Sequence, residues 1–426
     1  MKKHYTPLHL IKIIKKHLPR SFNKVLEPSS GNGALLGVIA NKKKVDVTAV
    51  DIKMTGLLEI QGDYKELRLI NSCFLKWKSR TNFDLILMNP PFSGKKSTWV
   101  DYNGAKVPIE IAFFNKAIEA CSNNGTIIAI LPKSIICGGS KVSCDARENL
   151  FHHMNIKYVY ELSEYEFPSI ESQFYLLVAQ KNAKQSRIIL RNLKDLEISI
   201  SKSFARSLGY RLDYGFIRSS KVIDNVLSDS AFKYSKLNAV STIYRGGLAP
   251  PYIKSKVLHT TSYRTHWNTG TSTIYNNKVN SVFTEYGDIL VKRVGRNCAH
   301  SFGLNSLKQK QVPTDCVLII RPNNIAESIA ILFAIRVLYA NEIGANKLQN
   351  GTGAQYITAA QLALIDIPSN LHLLHRDKFI EYKKATLEND GITTLNIESE
   401  LQEYLFEKVA RTIKDISLDF GSTARL

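Results

Sequence analysis

The sequence predicts an α/β protein with a mainly parallel sheet in its first half, a mixed α/β module after it and a helical tail. Two observations predict the sheet. Short runs rich in Val and Ile alternate with helical patterns from Lys24 to about Lys181, as in parallel strands joined by helices. A turn that contains glycine also follows the first run, where such a strand gives way to a helix. At 426 residues, the chain is long enough for two or three domains.

Apolar runs in the first half are predicted to be strands at residues 24–27, 45–52, 68–71, 83–88, 126–131, 157–161 and 174–180. Helices are expected in the gaps. The clearest helix lies at residues 109–120, where apolar residues recur at the spacing that places them on one face. These elements together predict a first domain over residues 1–183.

The second half is less regular, and we divide it into three parts. Residues 184–235 are basic and rich in serine, which is typical of a connecting segment. Residues 236–372 are predicted to form the second module, with strands at 288–292 and 316–321 and a helix at 326–342. Residues 373–426 contain one or two amphipathic helices, for which a packing or dimerisation role is expected.

The net charge indicates a polyanionic partner. Lys and Arg outnumber Asp and Glu by 57 to 37, which gives a formal charge of +20. A membrane surface is the alternative polyanion, but the most apolar stretch, residues 329–340, is interrupted by Arg336 and falls short of the roughly 20 residues of a membrane span. Lysines interrupt the N-terminal apolar positions, so we expect no signal peptide and a cytoplasmic protein. The six cysteines form no CxxC pair and no zinc spacing, so no disulfide framework or metal site is predicted.

The run VLEPSSGNG at residues 25–33 predicts a strand, a glycine turn and the start of a helix. Glycine lets the backbone approach a ligand closely at the carboxyl edge of the sheet, although an ordinary βα turn remains the alternative for this motif alone. Leu36 stands where a dinucleotide motif has its third glycine, so an adenosine without a pyrophosphate is favoured. Asp51 ends the next strand, where a carboxylate can accept hydrogen bonds from both ribose hydroxyls.

The run FDLILMNPPFSG at residues 83–94 leads a strand directly into Asn89, Pro90, Pro91 and Phe92. Two prolines fix φ and remove two backbone donors, so the carbonyls of this turn are left as acceptors. The Asn89 side-chain oxygen and the Pro90 carbonyl can each accept one N–H of an exocyclic amine and stabilise the positive charge that develops when it attacks. Phe92 offers a face on which a base turned out of a duplex can stack. The structural alternative is a proline-rich turn that only caps a strand.

In this order, the motifs resemble adenine-N6 DNA methyltransferases of the gamma arrangement, in which the cofactor motifs come first, NPP(Y/F) next and the target-recognition domain last. The resemblance implies a Rossmann-like methyltransferase sheet, S-adenosylmethionine as the cofactor and double-stranded DNA as the partner. It implies that residues 89–92 are the catalytic turn and that the cofactor contacts are Thr6, Glu27, Pro28, Gly31, Gly33, Asp51, Phe74, Asn89 and Pro91. It also implies a second aromatic residue against the flipped base, for which the candidate is Phe167, with a core phenylalanine as the alternative.

One position departs from the family. An acid usually precedes the phenylalanine after the third strand and binds the adenine amine of the cofactor, whereas this chain has Cys73 before Phe74. A thiol cannot replace a carboxylate as an acceptor, so we expect backbone groups to bind the adenine, or the cofactor to bind more weakly.

The second module resembles the recognition domains of type I specificity subunits and of gamma-class enzymes, through residues 287–297, 315–322 and 350–368. The resemblance points to DNA contacts at Lys292, Arg293, Arg296 and Gln355, with Thr352 and Tyr356 close to bases. A solvated basic face is the alternative. Lys95 and Lys96 lie in a loop at residues 93–107 that we expect to be mobile without DNA and to close over the target strand.

We therefore predict site-specific transfer of a methyl group to adenine N6 in double-stranded DNA, as part of a restriction-modification or related system. Other enzymes with an NPPF or NPPY turn methylate guanine in ribosomal RNA or glutamine in release factors, but they usually lack a large basic C-terminal half. A non-catalytic specificity subunit would need neither the catalytic nor the glycine turn. The cofactor motifs begin close to Met1, so we expect any nuclease to be a separate protein.

Overall fold

The computed structural model describes residues 8–62, 64–92, 98–163, 173–183, 187–247, 258–260, 282–295, 297–308, 310–351 and 355–412. The chain forms two compact units, Met1–Tyr214 and Gly215–Leu426.

The first unit is built on a sheet whose described strands follow the order β11-β10-β8-β9-β7-β4-β1-β2-β3. These strands are β1 (Lys24–Pro28), β2 (Asp46–Asp51), β3 (Glu66–Asn71), β4 (Phe83–Met88), β7 (Cys121–Pro132), β8 (Asn155–Glu161), β9 (Phe174–Gln180), β10 (Arg187–Arg191) and β11 (Glu197–Ser201); β5 (Trp99–Tyr102) and β6 (Ala105–Pro108) form a separate hairpin. The run from β3 to β7 is parallel throughout, and β9 is antiparallel to both of its neighbours. This topology confirms the predicted α/β fold with a mainly parallel sheet.

Helices flank the sheet: α1 (Leu8–Lys16), α2 (Met54–Leu57), α3 (Ile109–Ala120), α4 (Lys133–Cys137), α5 (Lys141–His153) and α6 (Lys202–Ser207). The strands β1 and β4 at the centre are almost entirely buried, which explains their continuous apolar runs. Leu10 and Ile14, one turn apart on α1, are buried in the same core cluster as Val25. The predicted bounds of β4, β9 and α3 agree residue for residue with the structure.

The first unit differs from the sequence predictions in three places. The glycine turn is followed by bends and a single 3-10 turn, Leu36–Val38, because Gly37 disfavours a continuous α-helix. Much of the loop expected at 93–107 is the β5–β6 hairpin, whose turn residues Asn103 and Gly104 both have positive φ, the pattern of a tight hairpin turn. The strands β10 and β11 extend the sheet into the segment 184–235, so the first unit continues beyond residue 183.

The second unit contains a four-stranded antiparallel sheet in the order β13-β16-β14-β15 and a separate pair, β12-β17. Its described strands are β12 (Tyr234–Lys236), β13 (Ser241–Arg245), β14 (Ile289–Lys292), β15 (Gly303–Leu304), β16 (Val317–Pro322) and β17 (Asp366–Pro368). Its helices are α7 (Tyr214–Leu227), α8 (Leu237–Val240), α9 (Ser328–Tyr339), α10 (Glu342–Leu348), α11 (Ala359–Ala363), α12 (Leu371–Leu374), α13 (Arg376–Glu388) and α14 (Gly391–Thr412).

The helix predicted at 326–342 corresponds to a 3-10 turn, Ile325–Glu327, and α9, and α10 follows them at an angle of 94°. Asn341 caps the N-terminus of α10, where its side chain accepts a hydrogen bond from the Gly344 amide at 2.9 Å. No single helix among the described residues is long and apolar enough to span a membrane; only this bent pair reaches the required length and composition.

The described part of the helical tail belongs to the core of the second unit. Tyr382 on α13 and Leu401 on α14 are each 1% exposed, in the same cluster as the apolar face of α9. Arg336, which interrupts the apolar run of α9, bonds with Glu398 on α14 through its Nε at 2.5 Å and its Nη2 at 2.8 Å. We predicted a separate segment at 373–426, whereas in this structure its described helices are packed on α9.

Candidate active site

The turn after β1 brings three residues with positive φ close together: Ser29 at 59°, Gly31 at 54° and Gly33 at 75°. Glycine is required at Gly33, since a Cβ there would lie 2.8 Å from the Ile60 side chain. The next helix also approaches closely, because a Cβ on Gly56 would lie 2.6 Å from the Gly31 carbonyl oxygen. The turn is therefore tightly folded, yet the position of a Cβ on Gly31 is open, which leaves room for a ligand against its backbone.

Glu27 lies near the end of β1 and is 3% exposed. The backbone amides of Leu35 and Leu36 donate hydrogen bonds to its carboxyl group, but its Oε2 atom is buried without a hydrogen-bond partner in the described structure. Burial raises the pKa of Glu27 well above its usual value, and the nearby negative charge of Asp51 raises it further. A buried carboxyl with one unpartnered oxygen is suited to accept a cationic donor.

Asp51 ends β2 and holds the glycine turn. Its Oδ2 accepts a hydrogen bond from the Gly31 amide at 2.8 Å, and its Oδ1 accepts one from the Lys53 amide at 2.8 Å. Each carboxylate oxygen has a second lone pair, so both oxygens can still accept a hydroxyl. The position predicted for ribose binding is therefore compatible with that role, and Asp51 also has a structural one.

The catalytic turn predicted at residues 89–92 begins directly after β4, beside the glycine turn after β1. The Oδ1 atom of Asn89 is buried and has no hydrogen-bond partner in the described structure. The Ser29 hydroxyl donates to the Asn89 main-chain carbonyl at 3.1 Å, so the two turns are joined. The ring of Phe92 is half-buried and contacts Phe174 at the start of β9, with centroids 4.7 Å apart and planes at 54°.

Phe74 is 2% exposed and contacts Phe113, at a centroid distance of 5.5 Å, and Trp77, at 6.3 Å. Lys116 on α3 lies 5.3 Å from the Phe74 centroid, and its ammonium donates to the carbonyls of Leu75 at 2.8 Å and Trp77 at 2.6 Å. The ring is therefore largely occupied by core contacts, and its role as an adenine wall stays a prediction. Cys73 precedes it as a half-buried free thiol.

These groups fit S-adenosylmethionine and a target amine. The unpartnered Glu27 oxygen suits the ammonium of the methionine moiety, and the remaining lone pairs of Asp51 suit the ribose hydroxyls. The unpartnered Asn89 oxygen suits an amine N–H. An unpaired buried oxygen costs about 1–3 kcal/mol, and a bound ligand that donates to it removes this cost.

Among the predicted site residues, Thr6, Lys95, Lys96, Phe167 and Arg296 lie outside the described residues, as does Thr352. The sequence analysis did not identify Ser29, which contacts Asn89, as part of the site. No sequence signal marks it, because its positive φ and its bond to Asn89 exist only in the folded turn.

The structure brings together two of the segments predicted to recognise DNA. The Gly295 amide donates to the Gln355 carbonyl at 2.9 Å, and the Ile357 amide donates to the Arg293 carbonyl at 2.8 Å. Lys292 at the end of β14 is half-buried, and burial lowers the pKa of its ammonium. Lys292, Arg293 and Gln355 are therefore neighbours along one end of the four-stranded sheet.

The guanidinium of Arg293 is bound within the protein. Its Nε donates to the Asp315 main-chain carbonyl at 2.5 Å and its Nη2 to the Asp315 carboxylate at 3.3 Å, and the side chain is 19% exposed. Arg245, which sequence reasoning missed, bonds with the same carboxylate at 3.1 Å but is 54% exposed. One sequence signal could have indicated it: Arg245 lies in a stretch, residues 230–284, that contains no Asp or Glu.

Residues 36–167 match the family model of the Eco57I restriction-modification methylase. This segment contains Asp51, Phe74 and residues 89–92, and it is less than a third of the chain. The match supports a DNA methyltransferase of the restriction-modification type, with S-adenosylmethionine as the cofactor. No curated protein sequence matches the chain.

Several solved structures have a similar architecture. The type IIG restriction endonuclease BpuSI is 13% identical with a TM-score of 0.46, over 95% of this chain and 66% of that protein. A type I restriction-modification methyltransferase subunit from Streptococcus thermophilus is 16% identical with a TM-score of 0.42, over 49% and 58%. A class I S-adenosylmethionine-dependent methyltransferase from Listeria monocytogenes is 17% identical with a TM-score of 0.37, over 44% and 65%. The alignments span about two thirds or less of each of these proteins, and similarity at this level says nothing about the activity of this chain.

Proposed function

We propose that this protein transfers a methyl group from S-adenosylmethionine to the N6 atom of an adenine turned out of double-stranded DNA. The observation that carries this proposal is the buried, unpartnered Oδ1 of Asn89, in a turn with two prolines and beside the glycine turn after β1. A neutral amide oxygen suits an amine that must donate a hydrogen while its nitrogen attacks.

S-adenosylmethionine supplies an electrophilic methyl group when it is bound. Glu27 would hold the ammonium of its methionine moiety, and Asp51 would hold its ribose hydroxyls. Asn89 Oδ1 and the Pro90 carbonyl accept the two N–H groups of adenine N6, which localises the nitrogen lone pair and orients it for in-line attack. Phe92 stacks on the extruded base. Both acceptors are neutral, so the proton that N6 loses leaves to water after the transfer.

The second unit provides the DNA-recognition surface in this proposal. Its candidate face is the end of the four-stranded sheet where β13 and β14 end and β16 begins, which carries Arg245, Lys292, Arg293 and Gln355. The sequence that follows β13 is basic and free of acidic residues up to Glu285, as expected for a segment near phosphates.

Incubation with S-adenosylmethionine that carries a labelled methyl group and with unmethylated genomic DNA tests the proposal. We expect label in N6-methyladenine, and its loss in Asn89→Ala. Asn123→Ala is the matched control, because Asn123 is an exposed asparagine in β7. Label in cytosine, or in RNA alone, would contradict the proposal, and the second outcome would favour an RNA exocyclic amine as the substrate.

A further inference from the structure

Ser29 has a backbone conformation that serine rarely adopts, with φ at 59°. Seven described residues other than glycine have positive φ, and five of them are Asn or Asp, which tolerate this region better. A serine here is strained, and glycine would adopt the same backbone without strain. Strained backbone persists where the surrounding contacts require it, and it concentrates at functional sites.

In this conformation the Ser29 side chain contacts the main chain of Asn89. Its hydroxyl donates to the Asn89 main-chain carbonyl at 3.1 Å, and it also lies against the carbonyl of Pro28. Leu26 on β1 pairs with Ile86 on β4 in parallel register, so Ser29 and Asn89 each stand three residues beyond a paired position. The side chain thus continues the link between β1 and β4 after the backbone pairing has ended.

The carbonyl that Ser29 holds belongs to the peptide that joins Asn89 to Pro90. This peptide is planar, and the proline ring fixes the next φ near −65°. Because Pro91 follows, ψ of Pro90 is restricted to the extended region, so the orientation of this peptide sets the direction in which the Pro90 carbonyl leaves the turn. The orientation of the peptide also fixes ψ of Asn89, the residue whose side chain carries the unpartnered Oδ1.

We propose that Ser29 is a positioning residue: its hydroxyl fixes the Asn89–Pro90 peptide so that both amine acceptors of the turn face the same substrate nitrogen. This inference rests on the proposed function. It assigns to Ser29 a role that acts through Asn89, because the single hydroxyl proton of Ser29 can be donated to the Asn89 main-chain carbonyl.

Ser29→Gly and Ser29→Ala separate the hydrogen bond from the strain. Both variants remove the hydroxyl, but only glycine relieves the positive φ. In both we expect kcat to fall about 3- to 10-fold, which corresponds to the loss of one neutral hydrogen bond, while KM for S-adenosylmethionine changes less than about twofold. For Ser29→Gly we expect Tm to stay equal to wild type or to rise although kcat falls.

Ser122→Ala is the matched control. The Ser122 hydroxyl bonds with Asp84 at 3.0 Å, near the start of β4, so this variant loses a serine hydrogen bond to the same strand far along it from Asn89. We expect kcat to be unchanged. If Ser29→Gly and Ser29→Ala keep wild-type kcat while Asn89→Ala abolishes transfer, the role of Ser29 is wrong and the proposed function stands.

A structural readout keeps the inference testable even if the substrate is different. In crystal structures of wild type and Ser29→Gly, we expect the Asn89–Pro90 peptide to be rotated or to occupy two conformers in the variant. An unchanged, single conformer of this peptide in Ser29→Gly would overturn the inference, whatever the activity.

Discussion

At the scale of single residues, the site depends on two buried oxygens without a hydrogen-bond partner in the described structure, Oε2 of Glu27 and Oδ1 of Asn89. Each is held at the carboxyl end of a central strand, β1 or β4, where parallel sheets bind ligands. Both are unfavourable in the free protein, since a buried oxygen without a donor costs about 1–3 kcal/mol. Ligands that donate hydrogens at these points are therefore bound more tightly.

Glu27 predicts a pH-dependent affinity for S-adenosylmethionine. Burial, with the charge of Asp51 in addition, raises the pKa of Glu27, and the ammonium of the cofactor favours the ionised carboxylate. Binding therefore releases a proton where the free carboxyl is protonated, and we expect the affinity to increase as pH rises toward the raised pKa and to level off above it. Calorimetric titration between about pH 5 and about pH 7, where an α-amino group stays charged, measures this.

Glu27→Gln has no titrating group, so we expect its cofactor affinity to be lower and independent of pH in this range. Glu148→Gln, at an exposed position on α5, serves as the control with the wild-type profile. An equal pH slope in wild type and Glu27→Gln would contradict the assignment.

The sequence identifies those site residues whose side-chain type and position in a motif indicate their role. Asn89 and Asp51 each follow an apolar strand, so their position at the sheet edge can be predicted. Ser29 cannot be found in this way, because its φ and its contact with Asn89 depend on the register of β1 and β4. Arg293 has the right type for DNA binding, but its bond with Asp315 is a tertiary contact between distant segments.

At the scale of secondary structure, buried strands are predicted best, because a continuous apolar run bounded by turns leaves few alternatives. The bounds of β4 and β9 are examples. The hairpin β5–β6 was missed although Asn103-Gly104 is a known turn signal, since the lysines before it suggested a loop. The amphipathic pattern predicts that α13 and α14 are helices. It does not predict the surface against which they pack, because periodicity identifies only the apolar face of a helix.

The tail helices predict a strong effect on stability. Arg336 and Glu398 form a buried ion pair with side chains 10% and 3% exposed, and the Tyr382 hydroxyl donates to the same carboxylate at 3.0 Å. Glu398→Ala leaves the buried guanidinium without its carboxylate, with main-chain carbonyls such as that of Phe302 still bonded to it. We expect the free energy of unfolding of the second unit to fall by about 3–5 kcal/mol. Denaturant titration followed by hydrogen exchange of the α9 and α14 amides measures this.

Glu400→Ala is the control on the same helix, because Glu400 pairs with Lys378 at an exposed position. We expect a loss of less than about 1 kcal/mol there. Equal losses in the two variants would show that Glu398 is not the link between α14 and α9.

At the scale of the whole molecule, the charge of +20 is best explained by a nucleic-acid substrate. Arg245 is the exposed cation of the described candidate DNA face, so we expect Arg245→Ala to weaken duplex binding and to reduce the slope of log K against log salt by about 1. Fluorescence anisotropy over a series of salt concentrations measures the slope.

Arg376→Ala is the matched control, because it removes an exposed arginine from α13 of the tail. We expect the wild-type salt slope in this variant. An unchanged slope in Arg245→Ala would show that Arg245 does not contact the DNA phosphates and would contradict the proposed DNA face.

The central claim is that Asn89 presents an oxygen to adenine N6 in DNA. The most direct test is single-turnover transfer of a labelled methyl group to duplex DNA, with the product base identified by mass spectrometry, in wild type and Asn89→Ala. We expect N6-methyladenine from wild type, and a rate at least about 100-fold lower from the variant, while S-adenosylmethionine still binds. N6-methyladenine formed at the wild-type rate by Asn89→Ala, or a different modified base from wild type, would contradict the account.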